Sequence, residues 1–219
     1  MVYTAHQPMV FPPLYLVSRF WQSDTLVLLS RDYSKKDGWH GRHQLVLEGS
    51  RRTLSIPTAQ SFEQPISEIK LFRPDFYRSK LVKTLRQNYG KSPWLSLGLD
   101  LSEISTESYS TFCWVFLHRL KELLGFGPEI IDETRLNLVR SKNASEWLSS
   151  IGLAIDCKVY LCASDATEKY LDSSFFLSKK IELKAQNWQP TSPSIQPQDS
   201  ILHGLLALGP VELGACLKS

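Results

Sequence analysis

The sequence predicts an α/β fold: a mixed or mostly parallel sheet flanked by helices, with extra helices in the C-terminal half. Three observations predict it. Short β-branched or apolar runs alternate with segments of helical periodicity. The 219 residues, 42% hydrophobic and 11% aromatic, can bury a sizeable core, most simply as one domain over residues 1–219. No internal repeat, heptad array or low-complexity tract points to a solenoid or coiled coil.

The elements follow in order. Residues 2–5 form a short strand that runs into His6-Gln7-Pro8, and Phe11-Pro12-Pro13 then opens an apolar helix with Leu14, Leu16, Val17 and Phe20. This strand, loop and helix make a Rossmann-like start, whose loop lies at the carboxyl end of the first strand, where open α/β sheets bind ligands. Residues 25–29, 44–48, 53–56, 94–97 and 158–162 read as further strands. Asp75 is placed to cap a helix with Leu81, Val82, Leu85 and Tyr89 on one face and Gly90 at its end. The longest helix should carry Tyr109, Phe112, Cys113, Phe116, Leu117, Leu120 and Leu124 before Gly125. Asn143 with Glu146, and Asp165 with Glu168, resemble caps of two short helices. Residues 186–198, with Pro190, Pro193 and Pro197, suit an ordered surface crossing or a mobile flap before a final apolar helix.

Composition excludes several function classes. Cys113, Cys157, Cys162 and Cys216 show neither Cys-x-x-Cys pairing nor zinc-ligand spacing, and they read as structural thiols. Apolar stretches such as residues 201–208 fall short of the roughly 20 residues a bilayer span needs. The N-terminus lacks the basic and cleavage features of a signal peptide, so the expected location is cytoplasmic. The net charge is +3, but basic residues outnumber acidic ones about two to one over residues 31–91, a local excess suited to phosphates or to a solvated face. No zinc finger, RNP-type motif or helix-turn-helix marks a nucleic-acid reader.

Chemistry-bearing residues gather in the N-terminal half. His6, at the end of the first strand, can shuttle a proton or donate to a phosphate, or it can be a hydrogen-bonded turn histidine. Residues 30–43 leave the second strand near the same edge and hold Arg31, Lys35, Lys36 and Arg42 as anion ligands, Asp32 as an orienting carboxylate, and His40 or His43 as acid or base. His40 and His43 lack the cysteine or carboxylate companions of a metal site, so no metal is expected.

These residues resemble the WbqC-like family. Its opening pattern is matched by His6-Gln7-Pro8, Phe11 and Pro12, and its second block by Leu26 to Leu29, Tyr33-Ser34-Lys35, Trp39 and Arg42. Ser67-Glu68-Ile69-Lys70, Asn88-Tyr89, Tyr160-Leu161, Tyr170-Leu171-Asp172 and Ser200-Ile201-Leu202 extend the likeness over nearly the whole chain. The sequence departs from the pattern where Ser30 and Arg31 replace paired acids, Ala163 a glycine, Gly41 and His43 asparagines, and His203 an Asp. The resemblance implies a bacterial surface-polysaccharide or secondary-metabolite context and a transferase that moves a small acyl or aminoacyl group, glycyl among them. On that reading His6, Asp32 and His40 are catalytic. Gln7, Tyr33, Lys35, Trp39, Arg42, His43, Tyr170 and Asp172 bind ligand. No cofactor is implied beyond a nucleotide or an activated glycyl donor, and the donor's carrier is a small molecule, an aminoacyl-tRNA or a carrier protein.

Two other classes compete with it. One is a nucleotide-binding enzyme of another reaction type, suggested by the strand-loop-helix start. The other is a non-catalytic binding or scaffold protein of a biosynthetic assembly, in which the aromatic and basic segment serves a partner.

Overall fold

A computed structural model describes residues 1–33, 41–59 and 64–219. Lys35, Trp39 and His40 therefore lie outside the described residues. Five strands make the central sheet: β1 (Val2–His6), β2 (Thr25–Leu28), β7 (Glu129–Asp132), β8 (Val159–Cys162) and β9 (Glu182–Ala185). Their order is β7-β2-β1-β8-β9, and every pairing is parallel. From β1 the chain builds outward through β2 to β7, then returns to the opposite side of β1 for β8 and β9. The reversal places a topological switch point between β1 and β8, at whose carboxyl ends an α/β sheet leaves a crevice.

Both faces of the sheet are covered, and side-chain alternation divides the core in two. Leu26 and Leu28 face a cluster built with α1 (Leu14–Trp21), α2 (Pro74–Tyr89), α4 (Tyr109–Leu124) and α8 (Ile201–Lys218), whereas Tyr3, Ala5, Val27, Tyr160 and Cys162 face α5 (Ala144–Ala154) and α7 (Ser173–Ser178). Gly152 in α5 permits the second packing, because a Cβ there would lie 2.5 Å from the Tyr3 hydroxyl.

Several sequence expectations change in detail. Residues 42–55 do pair, but as a separate antiparallel hairpin, β3 (Arg42–Leu47) with β4 (Ser50–Ser55). Glu48 (φ 51°) and Gly49 (φ 73°) make its turn, both left-handed as a tight hairpin requires. A shorter pair, β5 (Thr58–Ala59) with β6 (Lys70–Leu71), follows. Residues 94–97 are not a strand: Leu95–Leu101 is a helix, α3, laid on α8 with Gly98 against Leu206. A four-residue apolar run fits either element, and the packing decides. Asp75 is not the cap of α2. Arg73, in a left-handed conformation, precedes Pro74 at the first helical position, and Asp75 sits in the first turn, where its charge suits the helix dipole. Asn143 does cap α5, whereas Asp165 makes no cap bond to α6 (Ala166–Lys169).

By length and composition α8 passes for a membrane span, but 67% of it is buried in the protein. Gly209 (φ 75°) and Pro210 kink it. A Cβ at Gly209 would lie 2.3 Å from the Trp94 ring, so glycine serves both the kink and the contact. All four cysteines are buried free thiols.

Candidate functional site

The switch point holds a cavity of about 490 Å³. Ala5 and His6 come from β1, Tyr160 from β8, and Ala163, Ser164 and Asp165 from the loop after β8. Helix α1 contributes Tyr15 and Arg19, one turn apart and so on one face. Tyr170 and the crossing residues Gln186, Trp188, Gln189 and Pro197 complete the wall. Side-chain hydrogen bonds tie that crossing to the core. Gln186 Nε2 donates to the Tyr15 carbonyl (3.0 Å) and Trp188 Nε1 to the Cys216 carbonyl (2.9 Å). The buried Asp199 carboxylate accepts from Arg51 Nε (2.7 Å) and the Gln196 N–H (2.7 Å).

His6 ends β1 with its ring on the α1 side, 5.8 Å from the Phe20 ring. Its Nδ1 lies 2.8 Å from the Gln7 carbonyl, which can only accept, so Nδ1 carries the proton and Nε2 is the basic nitrogen. Burial, and then the charge of Arg19, push the imidazole down to about 3. His6 is therefore neutral at physiological pH. Burial likewise raises the phenols of Tyr15 and Tyr170.

Arg19 is buried, at 7% exposure, and its Nε has no hydrogen-bond partner. Sequence reading passed over it. The available signal was a lone charge in an otherwise uncharged, mostly apolar helix, LYLVSRFW.

The remaining predicted residues distribute over other places. Gln7 Nε2 donates to Asp32 Oδ2 (3.0 Å), and Asp32 is ion-paired with Arg140. This pair belongs to a network across the ends of β2 and β7, where Ser30 Oγ donates to Asp132 (2.8 Å) and the Arg31 N–H to Glu133 (2.6 Å). Glu133 is fully buried; burial raises its carboxyl, and the Arg31 N–H and guanidinium draw it back down. The guanidinium carbons of Arg31 and Arg140 lie 5.5 and 5.8 Å from the Trp147 ring centroid. Tyr33 is largely exposed and bridges to Pro65. Asp172 caps α7 by accepting from the Ser174 N–H (2.9 Å).

Arg42 and His43 line a second cavity, of about 300 Å³, with Met9, Phe11, Gln44 and Tyr15, so Tyr15 stands between the two cavities. His43 is buried, lies edge-on to Phe11, has its Nε2 3.4 Å from the Tyr77 hydroxyl, and is pushed by burial down to about 3. His203 is a core histidine, its Nδ1 2.9 Å from the Tyr89 hydroxyl. His6 and Tyr170 thus share the switch-point cavity, whereas Asp32, Arg42 and His43 line other parts of the molecule.

A family model described as the WbqC-like protein family matches residues 7–206. The chain belongs to that family. The match opens inside the His6-Gln7-Pro8 segment and takes in the whole WbqC-like sheet except β1. No curated protein matches this WbqC-like chain. Among its described residues no group of three or more His, Cys, Asp or Glu is placed to hold a metal ion.

Proposed function

We propose that this WbqC-like protein is a group-transfer enzyme that works in the switch-point cavity, moving a small acyl or aminoacyl group, glycyl among them, from an activated donor to a hydroxyl or amine acceptor. The observation that carries the reading is His6 on the cavity wall, at the carboxyl end of the central strand, with its tautomer fixed by the Gln7 carbonyl. That tautomer directs the basic Nε2 away from the backbone, as a general base needs. In the step, the acceptor oxygen or nitrogen attacks the donor carbonyl and Nε2 takes the acceptor proton. The bond to the donor's leaving group breaks, and the leaving group departs with the electron pair. The Arg140, Asp32 and Gln7 chain holds the loop whose carbonyl orients His6.

A nucleotide-binding enzyme of another reaction type is the second reading. The doubly wound strand order favours it, because such sheets take nucleotides at the same crevice.

Mass spectrometry of products from glycyl and acetyl thioester donors with sugar and amine acceptors tests the proposal. Transfer by the wild type should fall about 10²- to 10⁴-fold in His6→Ala, with the fold retained by circular dichroism. A folded His6→Ala protein that transfers at the wild-type rate removes His6 from the mechanism.

A further inference from the structure

The cavity wall carries several polar groups, and most have partners inside the protein. His6 Nδ1 is engaged by the Gln7 carbonyl, Gln186 by the Tyr15 carbonyl and Trp188 by the Cys216 carbonyl. Asp165, the acid on the rim, is ion-paired with Lys169. Arg19 differs from them. Among the described residues its guanidinium makes no hydrogen bond and no ion pair, although the residue is more than nine-tenths buried. Around it stand the neutral groups Tyr15, Tyr160, Tyr170 and His6, and the nearby carboxylate, Asp165, feels the Arg19 charge but is bonded to Lys169 instead.

An arginine cannot escape this burial by losing its proton, as a lysine can. A buried charge without an ion-pair partner is among the costliest features a fold carries, and packing gives no reason for it here, since its α1 neighbours other than Ser18 are apolar. The penalty is recovered if an anion enters. The guanidinium fork is shaped for the paired oxygens of a phosphoryl group or a carboxylate.

We infer that Arg19 is the anion-recognition residue of the switch-point cavity, and that its ligand is a small molecule whose phosphoryl or carboxylate oxygens bind the guanidinium while its body lies along Tyr15, Tyr170 and Trp188. This deepens the proposed transfer function by naming what the donor must carry, and it rests on the same cavity. A volume of about 490 Å³ fits a ligand of nucleotide size. Binding also has a chemical consequence. An oxyanion on Arg19 offsets the positive charge that, after burial, holds His6 down, so the imidazole becomes a better base once the donor is seated.

The test is a thermal-shift and calorimetric panel on the full chain in a low-salt buffer. Inorganic phosphate, ADP and UDP probe the phosphoryl source; acetate and glycine probe the carboxylate source. At about 100 times its dissociation constant, a bound probe should raise the melting temperature by about 5 to 10 °C. Arg19→Met should bind that probe at least tenfold more weakly, yet melt at or above the wild-type temperature without ligand, because an uncompensated charge is gone. Arg19→Gln gives a second neutral side chain should the methionine pack poorly, and His6→Ala should keep the affinity. The inference is overturned if no probe shifts the wild type, or if both Arg19 variants melt lower without ligand and bind as the wild type does. Anion binding lost with Arg19, in a protein that transfers no group, sinks the transfer reading and leaves the anion site standing. Transfer at full rate in Arg19→Met does the reverse.

Discussion

The two ends of the sheet's carboxyl edge treat buried charge in opposite ways. Beside β2 and β7, the buried Glu133 carboxylate faces Arg31 and Arg140, Asp32 pairs with Arg140, and Ser30 donates to Asp132. Beside β1 and β8, Arg19 is also buried but makes no ion pair among the described residues, and the acid on that wall, Asp165, is ion-paired with Lys169. The first arrangement has its counter-charges within the protein, although Glu133 Oε2 and Arg31 Nε make no hydrogen bond, and reads as structure that pins the loop after β2. The second has no ion-pair partner among the described residues, which is what the inferred anion would supply. Burial alone does not distinguish a binding residue from a structural one; the presence of a partner does.

Removing one partner from the compensated end is the strongest way to break this contrast. Glu133→Ala strands the Arg31 guanidinium and N–H and leaves Arg140 with Asp32 as its remaining carboxylate, and should cost about 3 kcal/mol in urea unfolding. A loss below about 1 kcal/mol would mean that solvent already screens the network. Acid should act next. His6 and His43 stand near 3 in the fold and near 6.5 when unfolded, so the unfolded chain binds more protons between those values. Their contribution is complete above about pH 6.5 and is lost as pH falls toward 3. The raised Glu133 carboxyl works in the opposite sense just above its ordinary value. Melting temperatures from pH 7 to pH 4 should therefore decline, and His43→Phe should flatten the slope; an unchanged slope would show that His43 is hydrated.

Smaller effects sharpen the comparison. Asp32→Asn loses the ion pair with Arg140 but can keep the Gln7 bond, so a stability loss of about 1 kcal/mol is expected. If Gln7 positions His6, transfer should fall more than binding does, and equal losses would argue against positioning. Asp172→Ala should cost about 1 kcal/mol as a lost helix cap and leave probe affinity unchanged. A change in affinity would restore Asp172 to the ligand site.

Local pattern made much of the scaffold legible. The strands at residues 2–5, 25–29 and 158–162, the α1 and α4 faces and the Asn143 cap depend on neighbours within a few residues, which a sequence displays. Where pattern was short or weak it misled. Residues 94–97 became helix because α8 receives them, and β9 lies at the sheet edge with little apolar signal to announce it. His6 was singled out by its type and its place at the end of the first strand and Tyr170 by the family resemblance, and both line the switch-point cavity; Arg19 was not singled out, because the same arginine on a solvated helix face would mean nothing.

The sequence by itself determined the α/β class, the family and the position of His6 at the end of the first strand, since these follow from periodicity, composition and local motifs. Only the tertiary structure decided which side chains share a cavity. It joined Arg19 and Tyr15 of α1 to Tyr170 and Trp188, more than 130 positions away, and sent Asp32 and Arg42 elsewhere. The reason is physical. Strand order, and with it the side of β1 on which each loop emerges, comes from long-range packing of both sheet faces, and whether a charge is paired depends on what that packing brings beside it.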